Sequence, residues 1–168
     1  MYYRFHCQMK KMLGQLETWL GAAETHAKAK GFDPNVLVRS RLAPDQFSFV
    51  QQVQAACDTA KQATARLTAK DAPSHPDTET TLDELRARIR AVVTYLDGIS
   101  EADYAAAATR VITTPRWQGK VMSGADYFME HAVPNFFFHV THAYALLRHN
   151  GVPVGKRDYL GAQTRRDP

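Results

Sequence analysis

Apolar residues recur at intervals of three and four along four stretches of the chain, and each stretch predicts an amphipathic helix. In the first, over 2–30, Tyr2, Phe5, Met9, Met12, Leu16 and Trp19 form the stripe and Gly31 ends it. The second is expected to open at Pro44 and Asp45, which suit a first helical turn, and to run to about Ala69. Its core face reads Phe47, Val50, Val53, Cys57, Ala60, Thr64 and Leu67, and Gln51, Gln54 and Asp58 lie beside that face at helical steps. Residues 70–80 carry two prolines and no period, so they read as a loop. Thr80 or Thr81, with Asp83 or Glu84 three residues on, then predicts a capping box for the third helix. Leu82, Leu85, Ile89, Val92, Val93 and Leu96 form its inner face, Glu84 and Arg88 an exposed pair one turn apart, and Gly98 closes it.

The period then changes. Ser100 caps a short helical turn, and RVITTPRWQGKVM has β-branched residues on both sides of a Pro/Gly turn, predicting a hairpin with strands near 110–113 and 119–122. Two strands are marginal alone and must lean on the helices, with Trp117 either as the anchor or as an exposed loop residue. Ser123 starts the last helix, inside which Pro134 removes a donor, predicts a kink and frees the carbonyl near Glu130. Phe138, Val140, Tyr144, Leu146 and Leu147 are its expected core residues, and Gly151 stops it. Val152, Val154, Tyr159 and Leu160 are expected to pack back on the body, leaving 163–168 loose. The sum is an all-α protein, an antiparallel four-helix bundle with a small β-hairpin before the last helix, in a single domain over 1–168.

Composition narrows the function more than the fold. At 168 residues the chain is large enough to bury a core of its own, and no apolar run is long enough to span a membrane. The net charge of +4 is dispersed, with no Lys/Arg block interleaved with aromatics, so a nucleic-acid partner is not expected. Cys7 and Cys57 sit inside helical patterns rather than in a CxxC arrangement, which reads as small buried thiols of a cytoplasmic protein.

The candidate chemistry lies in 131–151, HAVPNFFFHVTHAYALLRHNG, which holds four of the seven histidines. His131, Asn135, His139, His142 and His149 share one broad stripe at steps of three, four or seven. Bundles build sites from facing helices, so the candidate ligand-binding set is Asn135, His139 and His142 with Gln54 and Asp58 of the second helix. Three readings follow: histidines that only pack, a polar pocket for a small molecule, or a metal site using His139, His142 and Asp58. No HExxH motif is present, and amides such as Asn135 and Gln54 suit a hydrogen-bonded ligand better than zinc. A pairing of Cys57 with His139 or His142 as a nucleophile is conceivable, but nothing in the sequence lowers the thiol's pKa.

The strings RLAPDQFSFVQQVQAACDTAK, ETTLDELRARI, VPNFFFHVTHAYALLRHNG and GKRDYLG resemble a bacterial branch of unknown function in the DinB/YfiT-like superfamily, and the resemblance covers nearly the whole chain. It implies a four-helix bundle, the hairpin before the last helix, and frequent homodimers. Many members of the superfamily resemble metalloenzymes, with one histidine on the second helix and two, four apart, on the last, and some act as thiol transferases. Matched to that pattern, His139 falls on the second histidine of the last-helix pair, Asn135 on the first, and Gln54 near the second-helix position. Two of three ligand positions are therefore not histidine, so no cofactor is expected, with zinc or nickel as the alternative.

Overall fold

The computed structural model describes residues 1–167. Four helices pack side by side: α1 (Tyr2–Lys30), α2 (Phe49–Thr68), α3 (Leu82–Asp97) and a last helix in three parts. Those parts are α4 (Gly124–Asp126), a π-helical turn (Tyr127–Ala132) and α5 (Val133–His149). Around the bundle the order is α1, α3, α2, α5, as the packing pairs require. The α1 and α3 pair runs antiparallel, with Lys10 opposite Asp97, Glu17 opposite Arg90 and Glu24 opposite Arg86. The α2 and α5 pair is also antiparallel, with Gln52 opposite His139 and Arg66 opposite Tyr127. Between these pairs the neighbours α2 and α3 run parallel, with Gln54 near Glu79 and Asp58 near Arg88. A parallel neighbour cannot be reached by a tight turn, which is why the prolines and polar residues of 70–80 span the bundle as a crossover.

Local signals set the helix ends. Gly31 adopts φ +76° and closes α1, its neighbour Phe32 donating to the Ala27 carbonyl at 3.1 Å. Thr81 caps α3 together with Glu84, whose carboxylate takes the Thr80 and Thr81 N–H groups at 2.7 and 3.0 Å. The start of α2 differs from expectation. Pro44 and Asp45 form a turn, and the helix begins four residues after Asp45, where the Ser48 N–H donates to the Gln51 side chain at 2.9 Å. Ser48 and Gln51 supply the reciprocal cap that Pro44 and Asp45 cannot. Phe47 consequently lies outside the helix and is 50% exposed.

The hairpin is shorter than expected, with β1 (Val111–Ile112) paired antiparallel to β2 (Met122–Ser123). It leans on the bundle through Ile112, which joins Tyr104, Tyr127 and Phe128 in a cluster at one end of the helices. Gly124 lies against the Ala107 carbonyl, which a Cβ there would meet at 1.8 Å, so only glycine fits. The kink expected at Pro134 takes the form of the π turn before it, in which the Val133 N–H reaches the Phe128 carbonyl. The tail gains a short helix, α6 (Lys156–Leu160), whose Tyr159 stacks on Trp19 at 5.7 Å, while Leu160 is 39% exposed. Residues 163–167 are exposed and form no helix or strand, and position 168 lies outside the described residues.

Candidate functional site

The antiparallel seam between α2 and α5 opens into a cleft with two connected lobes, of about 310 and 350 Å³. Asp58, Thr59, Arg116, His131 and Asn135 line both lobes. Phe47 and His139 belong to the first lobe, and Arg66, Trp117 and Tyr127 to the second. The side chains along the seam are held by specific partners. His139 is 9% exposed and its Nδ1 lies 2.8 Å from the Gln52 Oε1. The other end of that amide, Nε2, donates to the Phe47 carbonyl at 3.4 Å, which orients Oε1 toward the imidazole. His139 therefore carries its proton on Nδ1, and Nε2 keeps a bare lone pair. Burial, with His142 nearby, lowers its pKa to about 4, so the ring is neutral at pH 7.

The next position is set in the same way. Asn135 donates from Nδ2 to the Thr59 Oγ1 at 2.7 Å, and the Thr59 hydroxyl in turn donates to the Ala55 carbonyl at 2.7 Å. That chain leaves the Asn135 Oδ1 as an acceptor without a partner among the described residues. At the far end Arg66 donates to the Tyr127 hydroxyl at 3.0 Å and lies 5.7 Å from the centre of that ring. His131 stacks on Tyr127 at 5.4 Å, and burial and the Arg66 charge lower its pKa. Trp117 meets the edge of His131 at 5.9 Å, so it packs as an anchor of the hairpin and also walls the cleft.

Behind Asp58 stands an ionic cluster that sequence reasoning missed. Arg88 was expected to be exposed and paired with Glu84. Instead its side chain is 1% exposed and contacts Asp58, Asp77 and Glu79 at 2.7, 2.9 and 2.9 Å. The reason is the crossover loop, which brings Asp77 and Glu79 over α3 and covers that face of the helix. Lys61 reaches the same Asp58 oxygen, Oδ1, at 2.8 Å and the His75 Nδ1 at 3.0 Å. Burial opposes ionisation of Glu79, yet hydrogen bonds from Gln54 and Arg88 pull its carboxyl below the ordinary range. Among the described residues, the Asp58 Oδ2 has no hydrogen-bond or ion-pair partner.

Of the five candidate residues, Gln54, Asp58, Asn135 and His139 line the cleft and His142 does not. The His142 Nδ1 turns to the Phe138 carbonyl at 2.7 Å and its ring packs on Phe138, because a step of three residues points it away from His139. His149 is exposed, and Phe138, placed in the core by periodicity, is 50% exposed. The Gln54 amide is taken by Glu79 at 2.8 Å, so the group that meets His139 is Gln52, fully buried two residues earlier. Of the two cysteines expected to be buried, Cys7 is exposed on the outer face of α1, whereas Cys57 is buried and its thiol is pushed up to about 12, which removes it as a nucleophile. At the positions where the resemblance implies three histidines, His139 alone offers a ring nitrogen. Among the described residues no group of three or more His, Cys, Asp or Glu side chains could hold a metal ion.

A four-helix bundle carrying a hairpin before its last helix and a cleft along the α2–α5 seam has the architecture of the DinB-like class. The family described as Domain of unknown function (DUF1993) matches residues 1–160, and the chain belongs to it. It is also similar to a solved structure, the crystal structure of a DinB family member protein from Shewanella denitrificans. The two are 55% identical with a TM-score of 0.94, over 97% of this chain and 93% of that one. No curated protein matches the chain.

Proposed function

We propose that the protein binds a small polar molecule in the cleft between α2 and α5, with His139 as a neutral hydrogen-bond acceptor and without a transition metal. One observation carries this reading: Gln52 clamps the His139 Nδ1 and leaves Nε2 bare in a cleft of about 310 Å³, within the range of small-molecule sites. A histidine that only packs would have both nitrogens satisfied or shielded. The donor set argues against zinc or nickel, because the other two implied ligand positions hold Gln54 and Asn135, neutral amides that are poor ligands for these metals. The test is elemental analysis of dialysed protein together with mass spectrometry of the small molecules released on denaturation. The expected result is substoichiometric metal and an organic compound whose retention falls when His139 is changed to alanine. Near one zinc, nickel or iron per chain, lost in the same variant, would instead support a metal-dependent enzyme of the thiol-transferase kind. Retention of neither, with no response of His139 to any added compound, would leave a non-catalytic scaffold.

Association of two copies in a cytoplasmic setting accompanies this proposal. Exposed apolar side chains such as Val111, Val121, Met129 and Phe138 support pairing, and among the described residues no helix is long and apolar enough to cross a membrane. Light scattering at micromolar concentration is expected to give twice the 18.9 kDa chain mass, and the single-chain mass would contradict it.

A further inference from the structure

The two lobes of the cleft differ in charge. Asp77 lines only the lobe that holds His139, whereas Arg66 lines only the lobe that holds Trp117 and Tyr127. The cluster behind the first lobe sets the cations Arg88 and Lys61 against the carboxylates Asp58, Asp77 and Glu79, so one negative charge is left over. Its acceptors face the cleft without matching donors: the His139 Nε2, the Asn135 Oδ1 and the Asp58 Oδ2. In the second lobe, among the described residues, Arg66 has no carboxylate partner, only the Tyr127 hydroxyl. Arg116, at the hairpin tip where both lobes meet, likewise has no carboxylate partner among the described residues. With His139 and Asp77 at one end, Arg66 at the other, and Asn135, Asp58 and Arg116 where the lobes meet, the cleft forms a bipolar site.

Building on the small-molecule reading above, we propose that the ligand is a small zwitterion, an organic amine that also carries a carboxylate. Its ammonium group donates to Asn135, His139 and Asp58, three acceptors that can take its three N–H bonds. Its carboxylate takes the Arg116 and Arg66 guanidinium groups, which suit a planar anion in bidentate geometry. The intervening carbon chain lies against His131 and Trp117, whose ring faces and edges supply the apolar wall. A dicarboxylate would set one carboxylate against Asp58, and a diamine would leave both arginines unmatched.

The test is calorimetric titration of the intact protein at pH 7 with ω-amino acids of three to six carbons, each beside the n-alkylamine, alkanoate and ω-hydroxyamide of the same length. One amino acid is expected to bind at least tenfold more tightly than its matched amine and its matched alkanoate. Arg116→Gln alters an exposed hairpin residue and should remove that tenfold advantage while leaving the matched amine's affinity unchanged. Asn135→Ala should weaken the amino acid and the amine together. Equal binding of the ω-hydroxyamide, or an advantage unaltered by Arg116→Gln, would overturn the zwitterion assignment. Binding of neutral polyols such as glycerol or glucose with no binding of the amino acids would overturn it too, yet leave the small-molecule cleft standing. If none of these compounds gives heat or moves the His139 ring resonances, and only zinc or nickel chloride does, both the assignment and the reading beneath it fail.

Discussion

His139 is a weakly basic acceptor because of what surrounds it. Burial holds its pKa at about 4 in the folded chain, against an ordinary value of 6.5 when unfolded. Between these values the unfolded state binds the proton and the folded state does not, so stability declines as pH falls from about 6.5 to about 4. His6, His75 and His131 are lowered as well, by burial first, and add to the same slope. Urea melts across this window are expected to show the decline, and His139→Gln should flatten it. Gln52→Leu should cost about 1–3 kcal/mol, since it leaves a buried imidazole N–H without an acceptor. Sequence alone singled out His139 and Asn135 from their spacing. It could not find Gln52, because QQVQ offers three amides and only the rotation of α2 decides which one faces α5.

Among the elements, the helices were legible wherever periodicity and caps agreed, as at Gly31 and at Thr81 with Glu84. The crossover loop was not, because what it covers depends on the parallel placement of α2 and α3, which no local pattern encodes. Arg88 shows the consequence, an apparent surface residue that the loop turns into a buried tie. Arg88→Met should destabilise the fold by roughly 3–5 kcal/mol, by leaving carboxylates without their cation, and should expose 70–81 to protease. An Arg88→Lys variant is expected to recover little of this, since one ammonium cannot reach Asp58, Asp77 and Glu79 together. The end of α2 offers the opposite change. Ala69 closes the helix at φ +57°, a left-handed conformation that disfavours a Cβ. Ala69→Gly should therefore raise stability by up to about 1 kcal/mol, read as a higher Tm in thermal melts.

For the molecule as a whole, the bundle and hairpin followed from pattern and resemblance, whereas the cleft depends on a pairing that periodicity describes only loosely. A stripe over His131, Asn135, His139, His142 and His149 suggested one inward face. The π turn and the packing of α5 divide it instead into three cleft residues, one ring folded back on Phe138, and one exposed end. The two arginines of the second lobe were invisible as site residues, since Arg66 and Arg116 come together only through the hairpin's return to the helices. The central claim is that the cleft binds a small polar molecule through a neutral His139. Its most direct test is the ring-nitrogen spectrum of labelled protein at pH 7, before and after adding small polar metabolites extracted from cells. The account predicts an unprotonated His139 Nε2 whose resonance shifts on addition while that of the exposed His149 does not. A protonated Nε2, or one that stays unmoved by every extract, would contradict it.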